Sequence, residues 1–131
     1  MGHIAQFEDL EIWEEAVRVG VRIYKLSETG KLKRDFSAKD QLKRAAISMS
    51  NNIAEGFEYN SNVTFQKFLT YAKGSAGELR SELFFLKEAD VLPREDYEAL
   101  APELIKISKN LSGFKKYLRD FESKKKRKSD S

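Results

Sequence analysis

Only two prolines, Pro93 and Pro102, and a few turn clusters interrupt this chain; elsewhere its apolar residues recur in steps of three and four. Strand-like alternation is missing, so the pattern predicts four helices and no sheet. The first runs from Asp9 to Leu26, with Asp9 as N-cap and Glu11, Glu14 and Glu15 at the positive end of its dipole. Two apolar seams follow it, one through Leu10, Trp13, Val17, Gly20 and Tyr24, the other through Ile12, Ala16, Val19, Ile23 and Leu26. Two seams predict burial on two sides.

The second helix begins near Ser37, where "SAKD" resembles a capping box with Asp40 in the acidic place, and ends near Gly56. Leu42, Ala46, Met49, Ile53 and Gly56 form its core line. Ser61 or Asn62 caps a third helix that runs to about Ala89 on Phe65, Phe68, Leu69, Ala72, Ala76, Leu79, Leu83 and Leu86. The fourth follows "DVLPRED" and ends near Phe121; Tyr97, Leu100, Leu104, Ile107, Leu111, Phe114, Leu118 and Phe121 make a left-handed bundle seam. Pro102 either kinks this helix or splits it. Short connections between long helices predict an all-α, antiparallel up-down-up-down four-helix bundle. It occupies residues 9–121, between a flexible segment 1–8 and a disordered basic tail 122–131.

Two stretches depart from the pattern. In "SMSNNIAEG" the polar residues form a stripe: Gln41, Arg44, Ser48, Asn52 and Glu55 fall within roughly 80° of one another at 100° per residue, beside the apolar arc. Ile47 and Ala54 lie further round, giving a second, weakly apolar face. In "KGSAGELRSEL" Gly74, Gly77 and Ser81 lie off the core line near Thr70, Phe84 and Phe85, where a solvent-facing helix carries Lys, Glu or Gln. Each interior glycine costs about 1 kcal/mol relative to alanine. The stripe has two readings, bonds within the chain or bonds across subunits. The glycines beside phenylalanines, with the second seam of the first helix, favour a homo-oligomer. The candidate interface is therefore Ile47, Ser48, Asn51, Asn52, Glu55, Gly74, Gly77, Ser81, Phe84 and Phe85, with Ser48, Asn52 and Glu55 buried and hydrogen-bonded, and Gly56 ending the helix.

Composition removes most chemistry. The 131 residues contain no Cys, and His3 is the one histidine. Disulfides, thiolate metal sites, serine triads, zinc hydrolases and Glu-x-x-His di-iron bundles are thereby disfavoured, and no metal or cofactor is expected. Glu55, Glu78 and Glu82 are the candidate paired carboxylates, yet they have no histidine or phosphate loop to work with. The start "MGHIAQFEDLEIW" has neither a basic flank nor a long apolar stretch, and no apolar run approaches the ~20 residues that span a bilayer, so a soluble cytoplasmic protein is expected.

The net charge of +3 is uneven. Lys124, Lys125, Lys126, Arg127 and Lys128 supply five of the 24 basic residues, so residues 1–123 hold 19 basic and 20 acidic ones. A nucleic-acid reading rests on local patches: Arg18, Arg22 and Lys25 on the first helix, Lys31, Lys33, Arg34, Lys39 and Lys43 around the next loop, and the tail. Glu11, Glu14 and Glu15 stand close enough to neutralise Arg18 and Arg22. No aromatic residues interleave with these cations as on base-stacking surfaces, which predicts backbone contacts with steep salt dependence and no sequence-specific readout.

"FEDLEIWEEA" (Phe7 to Ala16), Ile23 with Tyr24, "QLKRAAISMSNNIAEGF" (Gln41 to Phe57) and "FLTYAKGSAGEL" (Phe68 to Leu79) together resemble the 23S ribosomal RNA intervening-sequence protein family of four-helix bundle proteins. That family includes the accessory variability determinant of diversity-generating retroelements. The resemblance implies a homopentamer, a barrel of bundles around a central axis, without catalytic activity. Retroelement members resemble nucleic-acid binders that work beside a reverse transcriptase and are usually strongly basic, unlike residues 1–123 here. Met49 stands where the family often has proline, and "GKLKRDF" is more charged than the usual loop. Two functions follow: an oligomeric scaffold that binds the backbone of RNA or DNA, or an adaptor for a partner enzyme such as a reverse transcriptase. Neither needs a membrane.

Overall fold

The structure is a computed structural model that describes residues 4–130, with side chains through residue 128. Residues 1–3, which include His3, and 131 lie outside the described residues. Four helices and no strand are present among them: α1 (Glu11–Leu26), α2 (Phe36–Glu58), α3 (Asn62–Glu88) and α4 (Arg94–Asp130). One-turn 3₁₀ helices, Phe7–Asp9 and Gly30–Arg34, precede α1 and α2. Each helix packs on its neighbour in the chain, and α1 meets α4 more sparsely, which closes a four-helix bundle.

Helix starts follow local chemistry with small shifts from the sequence expectation. Asp9 does not cap α1; it belongs to the 3₁₀ turn, and the chain bends at Leu10 instead. The reason is burial: Leu10 enters the core, and an edge-to-face contact of Phe7 with Trp13, 5.2 Å between ring centroids, pins the entry. From Ile4 onward, the segment expected to be flexible is partly packed, since Ile4 and Phe7 lie against the core. Asp35, not Ser37, caps α2, its carboxylate accepting from Ala38 N–H at 3.1 Å. Ser61 caps α3 as expected, accepting from Thr64 N–H at 3.3 Å.

The core is apolar and comes from all four helices. Ile12, Ala16, Val19 and Ile23 of α1 are buried, whereas the other seam is split: Gly20 is buried, Trp13 and Val17 are half-buried and Tyr24 is exposed. Met49, Leu83 and Leu104 are fully enclosed on α2, α3 and α4. Gly56 does not end α2, which continues to Glu58. It is a packing position: a Cβ there would lie 2.5 Å from Phe68 Cβ and 3.0 Å from a Phe65 ring carbon, so only glycine lets α2 and α3 meet.

α4 runs unbroken for 37 residues through Pro102. The lost hydrogen bond falls on the exposed side at Pro102 and Glu98, where water can replace it, and Leu100 and Leu104 hold the turn from within. The helix also continues through the segment expected to be disordered. Lys, Arg and Glu are good helix formers, and neither Gly nor Pro interrupts "FESKKKRKSD". Among the described residues Leu118 is the last buried one, and Phe121, read as core from its spacing, is exposed because the seam outlasts the helices that would cover it.

Candidate subunit and nucleic-acid interfaces

The polar stripe of α2 borders its contact with α3, and part of it is satisfied there. Asn52 Nδ2 donates to the Ser48 carbonyl at 2.9 Å and to Ser48 Oγ at 3.0 Å. Ser48 Oγ lies 3.1 Å from Ser75 Oγ, and the buried Ser75 hydroxyl in turn donates to the Tyr71 carbonyl at 3.3 Å. Ser48 and Asn52 are half-buried, and these bonds are made within the chain. Asn51 and Glu55 differ: both are exposed, against the expectation that Glu55 is buried. The 100° rotation carries them past the contact line toward solvent. Arg44 pairs with Asp40 on its own helix at 2.9 Å.

The outer face of α3 is uncovered. A Cβ at Gly74 or Gly77 would meet nothing within 4 Å, and Ser81 is exposed on the same face. Val63 and Phe85 flank this strip, each 71% exposed, and Ile47 on α2 is 48% exposed. Phe84 has company within the chain: its ring lies 5.8 Å from that of Tyr97, and Lys87 Nζ sits 4.4 Å and 4.5 Å from the two ring centroids. Phe85 has none of these contacts.

Sequence reasoning found Glu82 only as a potential pair member and missed its state. Its Oε2 is shut off from water and has no hydrogen-bond partner. Burial first, then the neighbouring Glu78 carboxylate, pushes its pKa up to about 7. The i, i+4 spacing of Glu78 and Glu82, one turn beyond buried Ser75, is the signal that was available. Glu82 borders a cleft of about 460 Å³ with Asp35, Gln41, Ser81 and Phe85.

The basic candidates separate into engaged and exposed groups. Lys39 and Lys43 both bind Glu28, Lys39 at 3.4 Å, and Lys43 also covers the Tyr24 ring at 4.3 Å. The Lys43 bond holds the Glu28 carboxyl below its ordinary range, and Glu28 raises Lys43. Arg22 is paired with Glu103 of α4 rather than with the first-turn glutamates; Glu15 accepts instead from Asn110 at 3.2 Å. Lys31 donates to the Asp90 carbonyl at 3.1 Å. Arg18, Lys25, Lys33 and Arg34 are exposed and form no ion pair among the described residues. Lys124, Lys125, Lys126, Arg127 and Lys128 are exposed on α4, where Phe121 stands among them, so an aromatic residue does interleave with this basic group.

The sequence profile of the 23S rRNA-intervening sequence proteins matches residues 8–113. The chain belongs to this family. A crystal structure of a protein of unknown function from the S23 ribosomal protein family of Bacteroides thetaiotaomicron has the same fold, with a TM-score of 0.73 and 26% identity. It is matched over 80% of this chain and 95% of its own length. No curated protein matches the chain. The match to the 23S rRNA-intervening sequence proteins takes in both the polar stripe and the uncovered face of α3, and stops before Phe114. The basic turns of α4 therefore lie outside the family pattern. Among the described residues, no helix is long and apolar enough to cross a membrane and no group of three or more His, Cys, Asp or Glu could hold a metal ion.

Proposed function

We propose that this member of the 23S rRNA-intervening sequence proteins is a non-enzymatic, self-assembling scaffold that binds nucleic acid through its phosphate backbone. The uncovered face of α3 carries the assembly: two glycines open to at least 4 Å of space lie between side chains as exposed as Val63 and Phe85. A helix from a second copy fits such a strip because the missing side chains allow close approach. A homopentamer built as a barrel is the order that the family resemblance implies. Repetition by symmetry then turns the few exposed cations of one chain, Arg18, Lys25, Lys33, Arg34 and the α4 lysines, into a ring of phosphate contacts. The RNA in the family's name is the support for the ligand class.

Light scattering checks the assembly: the reading expects about five times the 15.1 kDa chain mass, and a monomer would remove its basis. Binding of labelled RNA or DNA by the intact chain is expected at about 50 mM salt with a steep fall as salt rises. Absence of binding to both at that salt would sink the nucleic-acid part. The near-neutral charge of residues 1–123 favours a second reading, an adaptor for a partner enzyme such as a reverse transcriptase. Capture of such an enzyme that survives nuclease treatment would support it.

A further inference from the structure

α4 outlasts the bundle, and its last described turns combine two features that the sequence keeps apart until they are wound into a helix. Residues 115–128 hold eight Lys or Arg and two acidic residues. At 100° per residue, Tyr117, Phe121, Lys124 and Lys128 fall within about 60° of one another, along a strip about 16 Å long. Tyr117 is 51% exposed and Phe121 42% exposed, with ring centroids 6.4 Å apart and planes at 33°. The rings are also anchored. Phe65 in the core touches Phe114 at 5.6 Å, Phe114 touches Tyr117 at 6.0 Å, and Tyr117 leads on to Phe121, so a chain of rings runs from the interior to the surface. Phe121 then borders a shallow groove of about 500 Å³ with Lys124, Lys125, Arg127 and Lys128.

Flat, oriented rings beside ammonium groups match a strand whose bases are unstacked and whose phosphates lie within a few ångströms of them. A duplex keeps its base faces covered and offers only phosphates. A membrane surface is a poorer fit, because beyond Phe121 the sequence "ESKKKRKSDS" has no apolar side chain to enter the acyl region. We propose that single-stranded nucleic acid lies along this strip, with bases stacked on Tyr117 and Phe121 and phosphates held by Lys124 and Lys125. The inference rests on the nucleic-acid reading above and narrows it to one form of strand and one element.

The test compares an unstructured 20-nucleotide RNA with its blunt duplex, using the intact chain at about 50 and 200 mM salt. The single strand is expected to bind about tenfold more tightly than the duplex. The double variant Tyr117→Leu/Phe121→Leu, which keeps apolar bulk, should weaken single-strand binding about tenfold, leave duplex binding within twofold and leave the salt slope unchanged. Lys124→Gln/Lys125→Gln should weaken both and lower the salt slope by about two. Helical circular dichroism identical to that of the parent chain accompanies each reading. Duplex binding equal to or tighter than single-strand binding, or a silent aromatic variant, overturns this inference alone. No binding of either RNA by the parent chain overturns it together with the broader reading. Tighter binding to vesicles containing 30% anionic lipid than to RNA overturns it in favour of a membrane surface.

Discussion

Glycines border α3 on two of its sides, one on α2 and two of its own, and to opposite ends. Toward α2, Gly56 is so closely met that an added Cβ would sit 2.5 Å from Phe68 Cβ. On the outer side, Gly74 and Gly77 face no atom within 4 Å. Smallness is consumed in the first place and unspent in the second. The polar groups divide the same way: Ser48, Asn52 and Ser75 satisfy one another along the α2–α3 contact, whereas Asn51 and Glu55 point away from it into solvent. Each outer glycine costs about 1 kcal/mol of helix stability and returns no contact within its own chain, and on that the proposed assembly rests.

The largest effect is expected from filling the consumed space. Gly56→Val should lower stability by about 3 kcal/mol, because neither the Phe68 Cβ nor the backbone behind it can move aside without opening the bundle. Thermal unfolding checks this; a variant as stable as the parent would mean that the α2–α3 approach is not set by Gly56. Filling the unspent space should do the reverse to the single chain and harm the assembly. Gly74→Ala/Gly77→Ala adds about 1 kcal/mol of helix stability per site, yet its methyl groups should hold a second copy away and lower the mass seen by light scattering. A higher melting temperature at unchanged mass would show the outer face of α3 to be ordinary solvent-facing helix. Asn52→Leu is intermediate in kind and smaller in size. It removes two donated bonds and leaves the Ser48–Ser75 contact in place, so a loss of about 1 kcal/mol at unchanged mass is expected, and dissociation would move Asn52 into the subunit interface.

How far the sequence told of these regions depends on what each residue answers to. Helix number, the core lines and the Ser61 cap were legible because apolar spacing and capping are local signals, as was the split between an apolar arc and a polar stripe on α2. The role of Gly56 was not, since a glycine near the end of a periodic segment looks the same whether it turns the chain or admits Phe68. Phe121 misled for a related reason: its spacing is that of the core, but no helix reaches far enough to cover it. The Arg22–Glu103 pair joins residues on opposite ends of the chain, and no local rule chooses Glu103 over the nearer Glu14 or Glu15. Lys31, Lys39 and Lys43 were counted with the free cations for the same reason.

Glu82 offers the finest test of the two sides of α3, since it sits between them with Glu78 and Asp35 as its acidic neighbours. Its folded pKa of about 7 lies above the ordinary value of 4.5, so the folded chain holds this proton more tightly than the unfolded one. The stability tied to that proton is complete below about pH 4.5, declines as pH rises toward 7 and is gone above it. Glu82→Gln is neutral throughout and removes the decline. The variant should therefore match the parent at pH 4.5 and melt above it at pH 8, with the difference opening between those values. If a basic group from a second copy approaches Glu82 in the assembly, the order reverses at pH 8, because the glutamine then forfeits an ion pair that the isolated chain does not have. An identical difference at pH 4.5 and pH 8 would mean that Oε2 is hydrated and that the cleft beside Phe85 is open to water.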